Sequence, residues 1–432
     1  MNTIARRFRP SLITIIFVLG FFSSLLYMLN QKIVPDSIQL LERGHLFMHN
    51  QLIPFGPRSS NTNFVYGPFI SVFVGLCLSV YDHPMAPLAA ILMLHIVGFF
   101  FLLRIQFFSS IPNFLPVFIF LYWLSPWRSS EVFLWNPSFL FPLMVMYLYG
   151  IDLVIRSKAF LGTLLMVLAA ALTFQIHNSF IFLLILSAWI AFRMKIRPHM
   201  GALILGSCFG IAALIPTVIV INDHPEILQM NQKSAGLFGN LLSGGEALKG
   251  VLYWFRYPSL FFGSTTFQLP TVQWSDADLW SKSWKIIKWV LAIISLVFVA
   301  MANVNFFKKA KGTFIWELAM GGFVALVWVS AMSPVPFNFW HLYLIYPLTI
   351  IPIAWVVSKT KQRPVVFLCL GLYFVVYAGI SAFHSYKHEY GSLQYESYNR
   401  LVKLKHREIR DRFALFSLKM GNSEHPSQNA QE

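Results

Sequence analysis

Charge is scarce in this 432-residue chain: only 12% of its residues are Asp, Glu, Lys or Arg while 57% are hydrophobic, against a charged share of roughly 25% in soluble domains. A water-soluble fold is therefore excluded. Acid is the scarcer sign, with 17 Asp and Glu against 33 Lys and Arg and a net charge of +16. Such an excess would suggest nucleic acid if it formed a continuous patch, but the basic residues fall in short clusters between apolar runs. That pattern sets membrane topology, and nucleic acid is set aside as a partner. There are three cysteines, Cys77, Cys208 and Cys369, each inside an apolar run with no CxxC and no histidine at ligand spacing. They offer neither a disulfide framework nor a zinc site. The chain also lacks a fixed-period repeat and a separate soluble domain. The first apolar run exits through NQKIVPDS, without a small-x-small cleavage site, and is read as an uncleaved span.

Long apolar runs and aromatic rings are abundant. Phe, Tyr and Trp make up 17% of the chain, a load that lipid-facing helices and interfacial belts can hold and a soluble surface cannot. Runs near the 20 residues a spanning helix needs occur at 11–30, 86–104, 111–124, 138–155, 160–174, 178–192, 201–221, 285–303, 313–331, 338–357 and 364–382. Two shorter stretches, 68–81 and 251–263, are rich in Pro, Gly and aromatics and read as interfacial or re-entrant. The expected fold is an all-α polytopic membrane protein with about 11 to 13 transmembrane helices.

Basic clusters set the orientation. Arg6/Arg7/Arg9, Arg104, Arg156/Lys158, Arg193/Lys195/Arg197, Lys308/Lys309/Lys311 and Lys359/Lys361/Arg363 all fall on one side when every second junction is taken as cytoplasmic. The N terminus is then inside and the C terminus outside. The alternate junctions carry the long loops, 31–85 and 222–284, and most of the acids. Residues 1–382 form the multi-span domain, and 383–432 form a basic tail with a disordered end. Within the tail, Leu401, Leu404, Ile409, Phe413 and Phe416 recur at roughly helical spacing. They suggest an amphipathic helix on a membrane surface, or equally a solvated charged helix.

Buried charge is costly in a bilayer, so chemistry is expected where the acids are, at the outer face. Pro35-Asp36 directly follows the first span, and the loop returns through Tyr66-Gly67-Pro68. LWNPS stands at 134–138, FQIHNS at 174–179 and FWHLYLIYP at 339–347. In this order along a multi-span chain with its N terminus inside, these segments resemble the GT-C superfamily of membrane glycosyltransferases. That superfamily uses polyprenyl-phosphate-linked sugars and includes protein mannosyltransferases and the lipid A aminoarabinose transferase. The resemblance covers most of the chain. It implies a GT-C-like fold and transfer of a sugar from a polyprenyl-phosphate donor to a lipid, glycan or protein acceptor. The implied location is the bacterial inner membrane, with the site facing the periplasm. It requires no certain cofactor and leaves room for a divalent metal.

The resemblance casts Asp36 as the base that activates the acceptor hydroxyl, with Glu131 in SPWRSSEVFLWNP as a helper acid. Several branches of the family place a second acid beside the first, whereas Ser37 follows Asp36 here and the nearest acid is Glu42. Arg58, Arg128, Lys233, Arg256 and His341 are the outer-side cations available to a lipid phosphate. His177 and Tyr66 are placed to face the cavity, and Trp135, Asn136, Trp340 and Tyr343 to line a sugar or prenyl site. Two other classes fit parts of the pattern. A transporter or flippase for lipid-linked sugars would show mid-membrane charges and matching broken helices. A polysaccharide polymerase or ligase would place its main basic loop late in the chain.

Overall fold

The computed structural model describes residues 10–29, 33–57, 64–124, 132–230, 243–259, 279–333, 343–360 and 390–420, together with residues 365 and 368. In chain order the helices begin with α1 (Pro10–Leu29), α2 (Pro35–Met48), α3 (Phe69–Val80), α4 (Met85–Leu103), α5 (Phe114–Trp123), α6 (Leu140–Ile155) and α7 (Ala159–Ile176). Then come α8 (Phe180–Arg193), α9 (Met200–Ala212), α10 (Ile215–Asp223), α11 (Glu226–Met230) and α12 (Gly244–Arg256). The last are α13 (Leu279–Lys309), α14 (Phe314–Ala331), α15 (Tyr346–Lys359), α16 (Tyr390–Leu401) and α17 (His406–Arg412). Strands among the described residues are limited to β1 (Gln51–Leu52) and β2 (Leu418–Lys419), paired antiparallel with Gln51 opposite Lys419 and Leu52 opposite Leu418.

Four helical segments are long and apolar enough to cross a bilayer: Met85–Leu103, Asn136–Ile155, Ala159–Ile176 and Phe314–Ala331. The pair α9 and α10 adds a fifth if taken as one span bent by 43°, with Pro216 at the break where the ring removes a backbone donor. The protein is thus an all-α chain with several membrane-crossing helices. The runs 11–30 and 285–303 correspond to the 20 residues of α1 and the 31 of α13, the run 364–382 falls outside the described residues except at 365 and 368, and some other suggested spans are shorter as helices. The run at 111–124 yields only the ten residues of α5, buried except for Leu115 and Pro116. It starts late because Pro112 precedes Asn113, which adopts a left-handed φ of 63°. Rising about 15 Å, α5 fills the interior. The helices in 178–192 and 338–357 each have 14 residues, and α3, in the stretch 68–81 read as interfacial or re-entrant, has 12.

The basic junctions at Arg104, Arg156, Arg193 and Lys359 gather at one end, while Arg6, Arg7, Arg9, Lys361 and Arg363 lie outside the described residues. The Asp152 carboxylate accepts hydrogen bonds from the backbone N–H of Gln106 and Phe107 at 2.9 and 3.0 Å, which ties the turn after Arg104 to the end of α6. It also pairs with Arg156 at 2.8 Å. Phe107 meets Phe314 at 4.9 Å, and Trp189 Nε1 donates to the Glu317 carbonyl at 3.0 Å. Phe306 near the end of α13 meets Trp355, over which the Lys359 ammonium lies at 3.9 Å.

The opposite end holds the first loop, the segment before α6, the α7–α8 turn, the end of α10 and the tail. Helix α2 packs against α3 at a close crossing. A Cβ at Gly44 would collide with Val74, and one at Gly75 with Phe47. A second small-residue crossing joins α6 to α7 through Gly150 and Gly162.

The tail docks on this end and does not lie apart on a membrane surface. Tyr398, Val402 and Ile409 are buried in a core shared with Leu40, Leu41, Leu46, Ile53 and Phe55, and Leu401, Phe413 and Phe416 pack against it. Only Leu404 of the apolar set stays exposed. The tail's positive charge is met by acids of the first loop: Arg412 pairs with Glu42 at 3.1 Å and Lys403 with Asp82 at 2.6 Å.

Candidate functional site

Asp36 is the second residue of α2. Pro35 fits the first helical position because its missing N–H would find no partner there, and its fixed φ suits the helix. A carboxylate in the first turn also faces the positive end of the helix dipole. Asp36 is exposed. Burial of its surroundings nevertheless raises its pKa above the ordinary carboxylate value. The rest of α2 is anchored. Arg43, 5% exposed, donates through Nε to the Phe55 carbonyl at 3.0 Å and through NH1 to the Gln39 carbonyl at 2.8 Å, and its guanidinium lies 5.1 Å from the Phe413 ring. Glu42, the acid nearest Asp36 in sequence, is buried and held by Arg412. It is a docking residue for the tail.

The motif segments converge. Tyr66 stacks on Phe174 at 6.5 Å and bridges Phe55. Gly67 has a φ of +116° and presses on the Gln175 side chain so closely that a Cβ there would overlap it. That position needs glycine on both counts. The YGP and FQIHNS segments are therefore in direct contact. Within LWNPS, the Ser138 carbonyl meets His95 Nε2 at 2.8 Å, well down α4, and the Ser138 hydroxyl bonds to the Phe133 carbonyl. The segment thus dips into the bundle, where Trp135 meets Tyr343 of the FWHLYLIYP segment at 5.7 Å. Trp135 Nε1, Asn136 Oδ1 and Ser179 Oγ are buried with no hydrogen-bond partner among the described residues.

Directly beneath this convergence lies an apolar cleft of about 250 Å³ between α3, α4, α6 and α7. Phe69 and Phe73 of α3 and Phe139 form its upper wall, with edge-to-face contacts at 5.6 and 5.0 Å. Phe101, Met146 and Leu172 line it further on. Phe69 follows YGP immediately, and Phe139 follows LWNPS.

Two further candidates have different settings. His177 ends α7, and its Nδ1 accepts the Ser179 backbone N–H at 3.1 Å, so one ring nitrogen shapes the turn. Arg256 is carried inward: α12 begins beside Ala331, passes Ser330 at Gly250, and by Trp254 has reached Phe323 in the middle of α14. Its guanidinium lies 5.3 Å from the Tyr253 ring, and neighbouring Tyr257 meets Tyr346. Among the described residues no contact joins Arg256 to Asp36, whose helix belongs to the other core cluster. Glu131, Arg58, Arg128, Lys233, His341 and Trp340 lie outside the described residues.

One cluster was not anticipated from the sequence. One ring nitrogen from each of His45, His49 and His406 lies within 4.8 Å of those of the other two. His45 and His49 stand four apart in GHLFMHN, a signal available from the sequence. His406 arrives from the tail and carried no local signal.

Comparison with known proteins adds no relative: no family model matches the chain, and neither the curated proteins nor the solved structures hold a match.

Proposed function

We propose that this protein is a membrane glycosyltransferase that moves a sugar from a polyprenyl-phosphate donor to an acceptor hydroxyl on the outer face of the membrane. The observation that carries the reading is the meeting of YGP, LWNPS, FQIHNS and the end of FWHLYLIYP over an apolar cleft, at the end of the bundle that also holds Asp36. A prenyl tail is the occupant that an all-hydrocarbon cleft beside a polar mouth favours. The unpartnered Trp135 Nε1, Asn136 Oδ1 and Ser179 Oγ are donors and acceptors of the kind a sugar uses.

In the reaction the acceptor oxygen attacks the anomeric carbon as the bond from that carbon to the phosphate oxygen breaks. The electron pair leaves with the polyprenyl phosphate, and Asp36 takes the hydroxyl proton. The expected architecture is 11 to 13 spans, with the N terminus inside and the tail outside, in the bacterial inner membrane. The acceptor is a lipid, a glycan or a protein.

The test uses purified full-length protein, radiolabelled polyprenyl-phosphate sugar and candidate acceptors. Label should move to the acceptor, and Asp36→Asn should fold like the parent while transfer falls at least about a hundredfold. Near-parental transfer by Asp36→Asn would remove the base assignment. Donor crossing vesicles without transfer would replace the reading with a flippase.

A further inference from the structure

The three histidines lie on two elements that are distant in sequence. His45 and His49 are one turn apart at the C-terminal end of α2, and His406 opens α17. Their ring centroids form a triangle of 4.6, 4.8 and 5.1 Å. His45 Nε2 and His406 Nδ1 face each other at 3.1 Å. Three donor nitrogens around one tetrahedral zinc, each bonded at about 2.0–2.1 Å, lie roughly 3.3–3.4 Å apart. The observed spacing reaches this with small side-chain rotations.

The surroundings do not repel a cation as strongly as the basic tail suggests. Lys403 is engaged by Asp82, Arg412 by Glu42, and Arg410 by Asp411 at 3.5 Å. His45 is only 4% exposed. Neutral imidazole is the ligating form.

We propose that His45, His49 and His406 bind a transition-metal ion, with zinc the best match, and that this ion clips the C-terminal tail to α2. Imidazoles with no carboxylate among them select zinc, cobalt, nickel or copper over magnesium and calcium. A fourth position is left for water. The ion is structural with respect to Asp36, because the nine helical steps from Asp36 to His45 put about 13 Å of helix between them. The site stands on its own geometry and does not depend on the glycosyltransferase reading.

The experiment uses full-length protein in detergent, purified without a polyhistidine tag and stripped with EDTA. Cobalt(II) is titrated by its visible absorption, zinc is then added in competition, and the thermal midpoint is followed. One cobalt per chain, its displacement by zinc, and a rise in midpoint with zinc but not magnesium are expected. His49→Gln, at an exposed position, and His406→Ala should each weaken binding at least about tenfold and abolish the zinc-dependent rise. His224→Ala, next to Glu226 and away from the trio, should behave as the parent. If His406→Ala fails to fold, His49→Gln alone decides. Parent binding no tighter than that of His49→Gln, equal loss in His224→Ala, or an equal response to magnesium would each overturn the site.

Discussion

At the residue scale, Asp36 and Arg43 show how one short helix combines an exposed carboxylate with a buried anchor. Asp36 titrates above the ordinary carboxylate value because its neighbours exclude water, and only the ionised form can accept a proton. The acid limb of kcat/KM against pH should accordingly have its midpoint above about 3.9, with transfer falling as pH drops through it. A limb at or below that value would mean that Asp36 is not the titrating base. Arg43 is the anchor. Burial pulls its pKa down to about 10, so it stays charged at neutral pH while serving two carbonyls. Arg43→Ala strands the buried Phe55 carbonyl and should cost about 2–3 kcal/mol, seen as a lower thermal midpoint. Asp36 after the first span was legible in the sequence, but Pro35, expected to end that span, instead starts α2, six residues beyond the end of α1 at Leu29. The role of Glu42 was not legible, because its partner Arg412 lies 370 residues away.

At the element scale, the sequence told helix from loop better than it told span from interior helix. Hydropathy marks a run as apolar, but it does not say whether lipid or protein covers it. Thus α5, as apolar as any span, is only ten residues long and buried by neighbours. The tail shows the same limit. Its apolar spacing was visible, but the surface it covers belongs to α2 and the loop after it, which no local pattern reveals. Removal of residues 390–432 should therefore uncover Leu40, Leu41, Ile53 and Phe55 and leave Glu42 without Arg412. The truncated protein should aggregate or elute broadly on gel filtration and become susceptible to protease in the 33–57 segment. A tail lying free on the membrane would be lost without either effect. A smaller perturbation tests the same packing: Gly44→Val drives a branched side chain into Val74 and should cost about 1–3 kcal/mol by overpacking.

At the scale of the whole molecule, the arrangement has two ends of different character. One gathers the turn after Arg104, the end of α6 at Arg156, the end of α8 at Arg193 and the ends of α13 and α15, all joined by direct contacts. The other gathers α2, the motif segments, α10, whose Thr217 hydroxyl donates to the Pro54 carbonyl, and the docked tail. The described basic junctions, expected on the cytoplasmic side from charge clustering, lie together at the first of these ends. The basic tail was the exception that made the C terminus hard to assign. Its pairing with Glu42 and Asp82 puts it at the end opposite the basic junctions. A reporter fused after Pro198, between α8 and α9, should thus behave as cytoplasmic. Reporters after Asp223 and at Glu432 should both behave as external, since the end of α10 and the tail belong to the loop end. Reversal of all three would place Asp36 inside and end the outer-face mechanism. A cytoplasmic Glu432 with an external Asp223 would instead contradict the docking of the tail on α2.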